Sequence, residues 1–244
     1  MILYGRNPVH EALRGRRAAS VGDVWTTERA AREPWLADRR PLIASAEEIE
    51  RRCDSAAHQG VCARAGAYPY ADAAELLAQQ DSLILALDQV QDPQNLGAIC
   101  RTAECAGAAG VVIGERRAAE VTPAVCKASA GAVEHLSLAR VRNVADFLKD
   151  ARRAGFWCYG ASALETPRGP RTVPYDRPGY AGAGVVLVLG SEGRGLRPRV
   201  AGACDQLVAL PLRGRIGSLG VSAAAAAIVY EILQQRDAAL DNSP

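Results

Sequence analysis

From residue 83 onward, short apolar runs alternate with helical patterns, and no other feature of the 244-residue chain constrains its fold as strongly. The apolar runs are Leu83 to Leu87, Val111 to Gly114, Phe156 to Tyr159, Val185 to Leu189 and Gln206 to Leu210. Helical patterns fall between them at Leu96 to Ala106, Pro123 to Ala130 and Val144 to Arg153. An Ala-rich helix follows from about Val221 to Arg236, with Ile228, Ile232 and Leu233 on one stripe. Uninterrupted Val and Leu runs suit strands buried on both faces. Their alternation with helices predicts an α/β fold, a parallel sheet with helices on both sides.

The first third of the chain reads differently. A stretch of Gly, Ala, Pro and Tyr at Gly66 to Tyr70 precedes a short polar helical segment, a shift in composition that marks a domain boundary. We expect a small α/β domain over residues 1–72, a linker over 73–82 and the larger domain over 83–244. Within the first, helices are expected at Val9 to Arg14 and Ala46 to Cys53, and strands at Val21 to Thr26 and Val61 to Ala63. It carries no obvious catalytic constellation.

Composition narrows the class. An apolar fraction of 49% with a formal charge of +2 excludes disordered and fibrous architectures. No apolar stretch reaches the roughly 18 to 20 residues of a membrane span, and the start lacks a signal-peptide core, so a cytoplasmic protein without a membrane partner is expected. Seven scattered cysteines form no Cys-x-x-Cys pair and have no His at zinc-ligand spacing, so reduced thiols and no metal site are expected. Of 29 basic residues only Lys127 and Lys149 are lysines. Arginine suits bidentate phosphate contacts, although a biased base composition in the coding sequence yields the same skew.

Three strands are each followed by an unusual loop, and in an open parallel sheet such loops gather at one edge, where ligands bind. The first, Asp88 to Gly97, leads into a helix that presents Arg101 and Glu104, with Asn95 as its expected cap. It lacks the G-x-G-x-x-G of a dinucleotide site. The second, Gly190-Ser191-Glu192-Gly193-Arg194-Gly195-Leu196, lets a ligand approach main chain closely but has no Gly-Lys-Ser/Thr, which disfavours a nucleoside triphosphatase. The third, Leu210 to Ser222, opens the last helix with Arg213 and Arg215. A capped turn, a lone Gly-rich turn and a solvated basic loop would each look the same singly; their clustering is the functional signal.

Taken in order, these loops resemble the three motifs of the SpoU (TrmH-like) family of RNA 2′-O-ribose methyltransferases. Asn95-x-Gly97-x-x-x-Arg101-Thr102 is similar to the first, Leu189 to Leu196 to the second, and Leu210-Pro211 through Ser218-Leu219-x-Val221-Ser222-x-Ala224 to the third. Gly5-Arg6-Asn7-Pro8-Val9 and His58-Gln59-Gly60-Val61 resemble the small L30e-like RNA-binding domain of members that modify 23S ribosomal RNA. The resemblance implies a SPOUT domain with a C-terminal trefoil knot, a homodimer, and S-adenosylmethionine contacted by Gly190, Leu210 and Leu219. It also implies catalytic roles for Asn95, Arg101, Glu192 and Ser218, and RNA contacts from Arg6, Arg194, Arg213 and Arg215. The substrate it implies is a guanosine of 23S ribosomal RNA, with transfer RNA or an antibiotic-resistance site in 23S RNA as alternatives.

Arg6, Arg14, Arg16 and Arg17 form the most compact basic cluster of the first domain and are expected to face RNA. His135 is expected to be structural, and His58 either touches RNA or holds a turn. Cys100 and Cys105 flank Arg101 on its helix, but no base accompanies them as nucleophile partner. One departure stands out: the family usually has Asn where this chain has Gly220. A non-catalytic RNA-binding factor of the same fold is therefore a second reading.

Overall fold

The computed structural model describes residues 1–162 and 171–241. Strands β1 (Ile2–Tyr4), β2 (Val21–Thr26), β3 (Leu42–Ile43) and β4 (Val61–Ala65) form a first sheet in the order β1-β4-β2-β3. Helices α1 (Arg6–Ala12) and α2 (Ala46–Cys53) flank it. On α2, Ser45 Oγ accepts from the Glu48 N–H, Glu47 and Glu48 occupy the first turn and Arg51 and Arg52 the last, a charge order that complements the helix dipole. After α3 (Ala73–Leu77) the chain builds a second sheet from β5 (Leu83–Asp88), β6 (Gly110–Gly114), β7 (Leu138–Val141), β8 (Trp157–Ala161), β9 (Thr172–Pro174), β10 (Val185–Gly190) and β11 (Gln206–Ala209).

This sheet runs β7-β6-β5-β10-β8-β11-β9, and every pairing in it is parallel. β5 and β10 lie at its centre and are buried at every position. Their alternate side chains serve two cores. Leu83, Leu85 and Leu87 of β5 and Val185, Leu187 and Leu189 of β10 face α4 (Pro93–Cys105), α5 (Pro123–Ala128) and α8 (Val221–Asp241). Ile84, Ala86, Val186 and Val188 pack with α6 (Val144–Arg153) and α7 (Pro198–Ala201). On α6 the buried Val144, Phe147, Leu148 and Ala151 follow the helical period.

The apolar runs thus become strands where expected, with boundaries moved by a few residues. Four short strands were not expected: β1, β3, β7 and β9. β1 sits at the chain start, β3 has two residues, and β9 ends in Pro174 at the sheet edge. β7 is the opposite edge, where Arg140 and Val141 are only half-buried, so no continuous apolar run is required.

The first unit is joined to the second by a buried ion pair. Arg17 is buried to 1% and Glu134 to 0% side-chain exposure; Arg17 Nε donates to Glu134 Oε2 at 2.9 Å, and Nη2 bonds Oε1. Burial opposes the charge on Arg17, and Glu134 with Cys126 more than restores it, so the guanidinium pKa stands above its ordinary value. Gly15 makes the approach feasible, because a Cβ there would lie 2.4 Å from the Glu134 carbonyl oxygen. Tyr68 Oη closes the junction, sharing its one proton between the carbonyl oxygens of Val133 and Leu136, each 2.8 Å away.

Of the four arginines expected to face RNA, this pair withdraws one, and the other three stay at the surface. Arg17 is interior, Arg16 donates to Ser137 Oγ at 2.8 Å, Arg6 pairs with Glu33 at 2.7 Å and only Arg14, 3.9 Å from Glu11, is loosely held. Neighbours in sequence are dispersed here because the turn after α1 is part of the junction. We predict that Glu134→Ala, which strands the buried guanidinium, lowers unfolding free energy by about 3–5 kcal/mol in urea titrations. Arg17→Met with Glu134→Leu should recover most of that loss.

Candidate active site

Parallel pairing sets Gly190, at the end of β10, opposite Asp88, at the end of β5. The first two loops therefore leave the sheet side by side. Asp88 is 1% exposed, and its carboxylate accepts from the Arg197 main-chain N–H at 2.9 Å, from Nε at 2.7 Å and from Nη2 at 2.6 Å. A buried carboxylate needs such a set of charged donors. The arrangement ties the far end of the second loop to the start of the first.

Between Gly190 and Arg197 the chain folds back on itself. Ser191 N–H donates to the Gly195 carbonyl at 3.2 Å and Gly195 N–H returns a bond to Ser191 at 2.9 Å. Gly190 is so close to this return that a Cβ would lie 2.2 Å from the Gly195 carbonyl carbon. Gly195 itself holds φ +65°, a left-handed conformation that glycine takes without penalty.

The fold projects Glu192 toward the first loop, where Asn95 Nδ2 donates to its carboxylate at 2.7 Å. The same amide nitrogen donates to Asp92 Oδ2 at 3.1 Å, so Asn95 bridges two carboxylates. Asn95 is not the helix cap: Asp92 is, accepting from the Gln94 N–H at 3.0 Å, with Pro93 in the first turn. Pro93 has no N–H to donate and opens the helix two residues earlier than Asn95, which leaves Asn95 free to reach across the loops.

A cavity of about 240 Å³ lies between the second and third loops. Gly190, Glu192, Leu210, Ser218 and Leu219 line it, with Ile228 of α8 among its apolar walls. Ser218 Oγ accepts from the Gly220 N–H at 3.2 Å, and the Gly220 carbonyl accepts from Ala224 N–H at 3.0 Å, which starts α8. Gly220 has φ +87° and nothing within 4 Å of where a Cβ would stand.

The structure thus brings Asn95, Glu192, Ser218, Gly190, Leu210 and Leu219 to one edge. Arg101 stands apart. Six residues beyond Asn95 on a helix of 3.6 residues per turn, it is about 240° round the axis, and it lines a separate groove with Asn7, Glu11, Arg14 and His135. Arg194, Arg213 and Arg215 are exposed beside the cavity, whereas Arg6 lies on the first unit, already paired with Glu33. His135 Nε2 meets Glu11 Oε2 at 2.7 Å, and His58 Nδ1 accepts from the Gly60 N–H at 2.9 Å, a turn bond. Burial pushes the Cys100 thiol pKa far up and keeps it neutral, which removes it as a nucleophile. Among the described residues no cluster of His, Cys, Asp or Glu is placed to hold a metal ion. Sequence reasoning missed Asp88 and Arg197; a lone carboxylate ending an otherwise apolar strand was the available signal.

Residues 82–230 match the SpoU rRNA Methylase family, and residues 2–71 match the RNA 2′-O ribose methyltransferase substrate binding family. The chain is 41% identical over 187 residues to a putative TrmH family tRNA/rRNA methyltransferase, YacO, of Bacillus subtilis, covering 74% of this chain and 72% of that protein. A putative TrmH family tRNA/rRNA methyltransferase of Staphylococcus haemolyticus is 31% identical over 255 residues, spanning 100% of this chain and 99% of its own. The structure of an AdoMet-bound rRNA methyltransferase from Sinorhizobium meliloti superposes with a TM-score of 0.76 at 25% identity, covering 96% of this chain and 86% of that one. This protein belongs to the SpoU family of RNA methyltransferases.

The Asp88 tether is open to direct measurement. We predict that Asp88→Asn weakens the charge-assisted bonds to Arg197 and raises hydrogen exchange at the Ser191 and Gly195 amides about ten- to a hundredfold.

Proposed function

We propose that the protein methylates a ribose 2′-hydroxyl of RNA with S-adenosylmethionine as donor, and that its substrate is 23S ribosomal RNA, at a guanosine. The observation that carries this reading is the Glu192–Asn95 contact at the mouth of a cavity lined by the second and third loops. The cavity suits the donor: apolar walls for an adenine, with Gly190, Leu210 and Leu219 among its lining. Gly190, Leu210 and Leu219 would hold it, through backbone groups. When bound, S-adenosylmethionine supplies an electrophilic methyl group on a sulfonium.

The chain's own residues then have to position the hydroxyl, take its proton and stabilise the developing oxyanion. We assign proton acceptance to the Glu192 carboxylate, which Asn95 aligns. The Arg101 guanidinium carries donors only, so we assign it the orientation of an RNA phosphate from the groove it lines. Ser218 holds the turn at Gly220. Arg194, Arg213 and Arg215 offer phosphate contacts close to the cavity, and Arg6 offers one on the substrate-binding unit.

We read the protein as a cytoplasmic homodimer whose larger domain is threaded as a trefoil knot, with the smaller domain over residues 1–72 and a linker over 73–82. The interleaved order β5-β10-β8-β11 supports the knot. Ile216, 77% exposed, and Leu219, 53% exposed, give the third loop an apolar surface suited to a second copy. No helix among the described residues is long and apolar enough to cross a membrane.

Gly220 favours the second reading, an RNA-binding factor without activity. Its φ of +87° tempers that reading, because Asn is among the side chains that enter the left-handed region most readily. Glycine preserves the turn and removes only an amide. The deciding assay supplies labelled S-adenosylmethionine with protein-free 23S, 16S and transfer RNA and maps alkali-resistant linkages. Incorporation at one site in 23S RNA is expected; a site in transfer RNA would move the substrate, and no incorporation with the donor bound would favour the factor. Glu192→Gln should lower kcat by about 10²- to 10⁴-fold with donor affinity little changed. Gly220→Asn should change kcat by less than about threefold, whereas a gain of tenfold or more would mark the natural protein as impaired.

A further inference from the structure

The carboxyl edge of the sheet continues outward past β5 through β6 and β7, and the residues that follow those strands are basic. β6 leads into Glu115-Arg116-Arg117, and β7 into Arg142. Arg116, Arg117 and Arg142 are exposed, and none makes a hydrogen bond or ion pair among the described residues. Arg140 differs: it pairs with Glu120 at 3.0 Å and lies over the Tyr70 ring. An open groove of about 850 Å³ runs along this edge, with Arg116 and Arg142 on its wall. Its acids are engaged elsewhere: Asp72 caps α3, Asp146 accepts from Lys149 and Arg199, and Asp150 accepts from Arg153. The Glu115 carboxylate makes no ion pair among the described residues, so Arg116, Arg117 and Arg142 stand as three arginines against one unpaired acid of this loop.

The loop is held in register with the candidate active site. Ala119 N–H donates to the Val90 carbonyl of the first loop at 2.9 Å, Val121 N–H donates to Tyr70 Oη at 2.9 Å, and Glu115 N–H donates to the Val141 carbonyl at 2.9 Å. Neighbouring strands are about 4.8 Å apart, so the chain leaves β6 about 5 Å and β7 about 10 Å from the end of β5, where the first loop starts. That is a span of a few nucleotides. Unpaired arginines at fixed positions, beside a groove and on the same edge as the reacting groups, match the spacing and chemistry of a phosphodiester chain.

We propose that Arg116, Arg117 and Arg142 form a phosphate-binding ridge that guides the RNA strand flanking the target ribose along the β7 side of the sheet. The proposal rests on the RNA methyltransferase reading. Backbone contacts of this kind set register and carry no base preference. The test measures binding of protein-free 23S RNA, and of bulk transfer RNA, by the full chain between 50 and 200 mM KCl, with Arg116, Arg117 and Arg142 all changed to Gln. Three lost phosphate contacts should reduce the slope of log K against log salt by about 2. KM for RNA should rise about tenfold with a smaller change in kcat, and affinity for S-adenosylmethionine should hold.

Arg152→Gln, at the amino end of the sheet and paired with Asp205 outside the groove, serves as the control and should leave the slope alone. Arg117 holds φ +54°, so Arg117→Gly relaxes the backbone and removes one contact without threatening the fold; it should lower the slope by about 0.7. A slope unchanged in both ridge variants, with wild-type methyl transfer intact, overturns the ridge alone. Failure of the unaltered protein to bind or methylate either RNA overturns the methyltransferase reading and the ridge together.

Discussion

β10 is hydrogen-bonded between β5 and β8, and the positions of all the chemically interesting groups follow from that pairing. The strand is buried on both faces, so each residue contributes to one of two cores in strict alternation. A slip by one residue would exchange the two sets, which is why the register is closely specified. Gly190 must then end level with Asp88. The loops that follow, separated by about a hundred residues of sequence, emerge as neighbours.

The polar groups at this edge depend on one another. Asp88 is a buried carboxylate that the Arg197 guanidinium and main-chain N–H satisfy, and its three bonds hold the return of the second loop. Gly190 allows that return to pass at a distance no side chain tolerates. Glu192 is carried on the resulting turn and meets Asn95, itself placed by the Asp92 cap on α4. A chain of contacts runs from strand register to the carboxylate proposed to take the proton. The packing that positions it lies almost wholly outside the three motifs' polar residues.

At the other end of the molecule, the smaller sheet is not loosely tethered. Leu3 and Val9 belong to the same apolar core as Leu96 and Ile99 of α4, and the Arg17–Glu134 pair is buried within that junction. Truncating one member of a buried pair is far costlier than replacing both by apolar residues. The unit matching a substrate-binding family is thereby held in fixed orientation to the face of α4 that carries Arg101.

Much of this was legible beforehand. Continuous apolar runs identified β5, β6 and β10, because a central parallel strand has no solvent face to interrupt the pattern, and the three polar loops after strands marked the candidate site. Edge strands such as β7 and β9 carry no such signature. Asn95 was expected as a cap, yet Asp92 takes that place, since helix starts depend on local competition between neighbouring polar residues. The amino-acid sequence by itself determined the α/β class, the family and which loops form the candidate site, since periodicity and motif spacing are local along the chain. Only the tertiary structure decided that Arg17 is interior, that Arg101 lines a groove with Arg14 and His135, and that Asp88 anchors Arg197. Burial and ion pairing between residues about a hundred positions apart are set by strand order and packing, which no local pattern encodes.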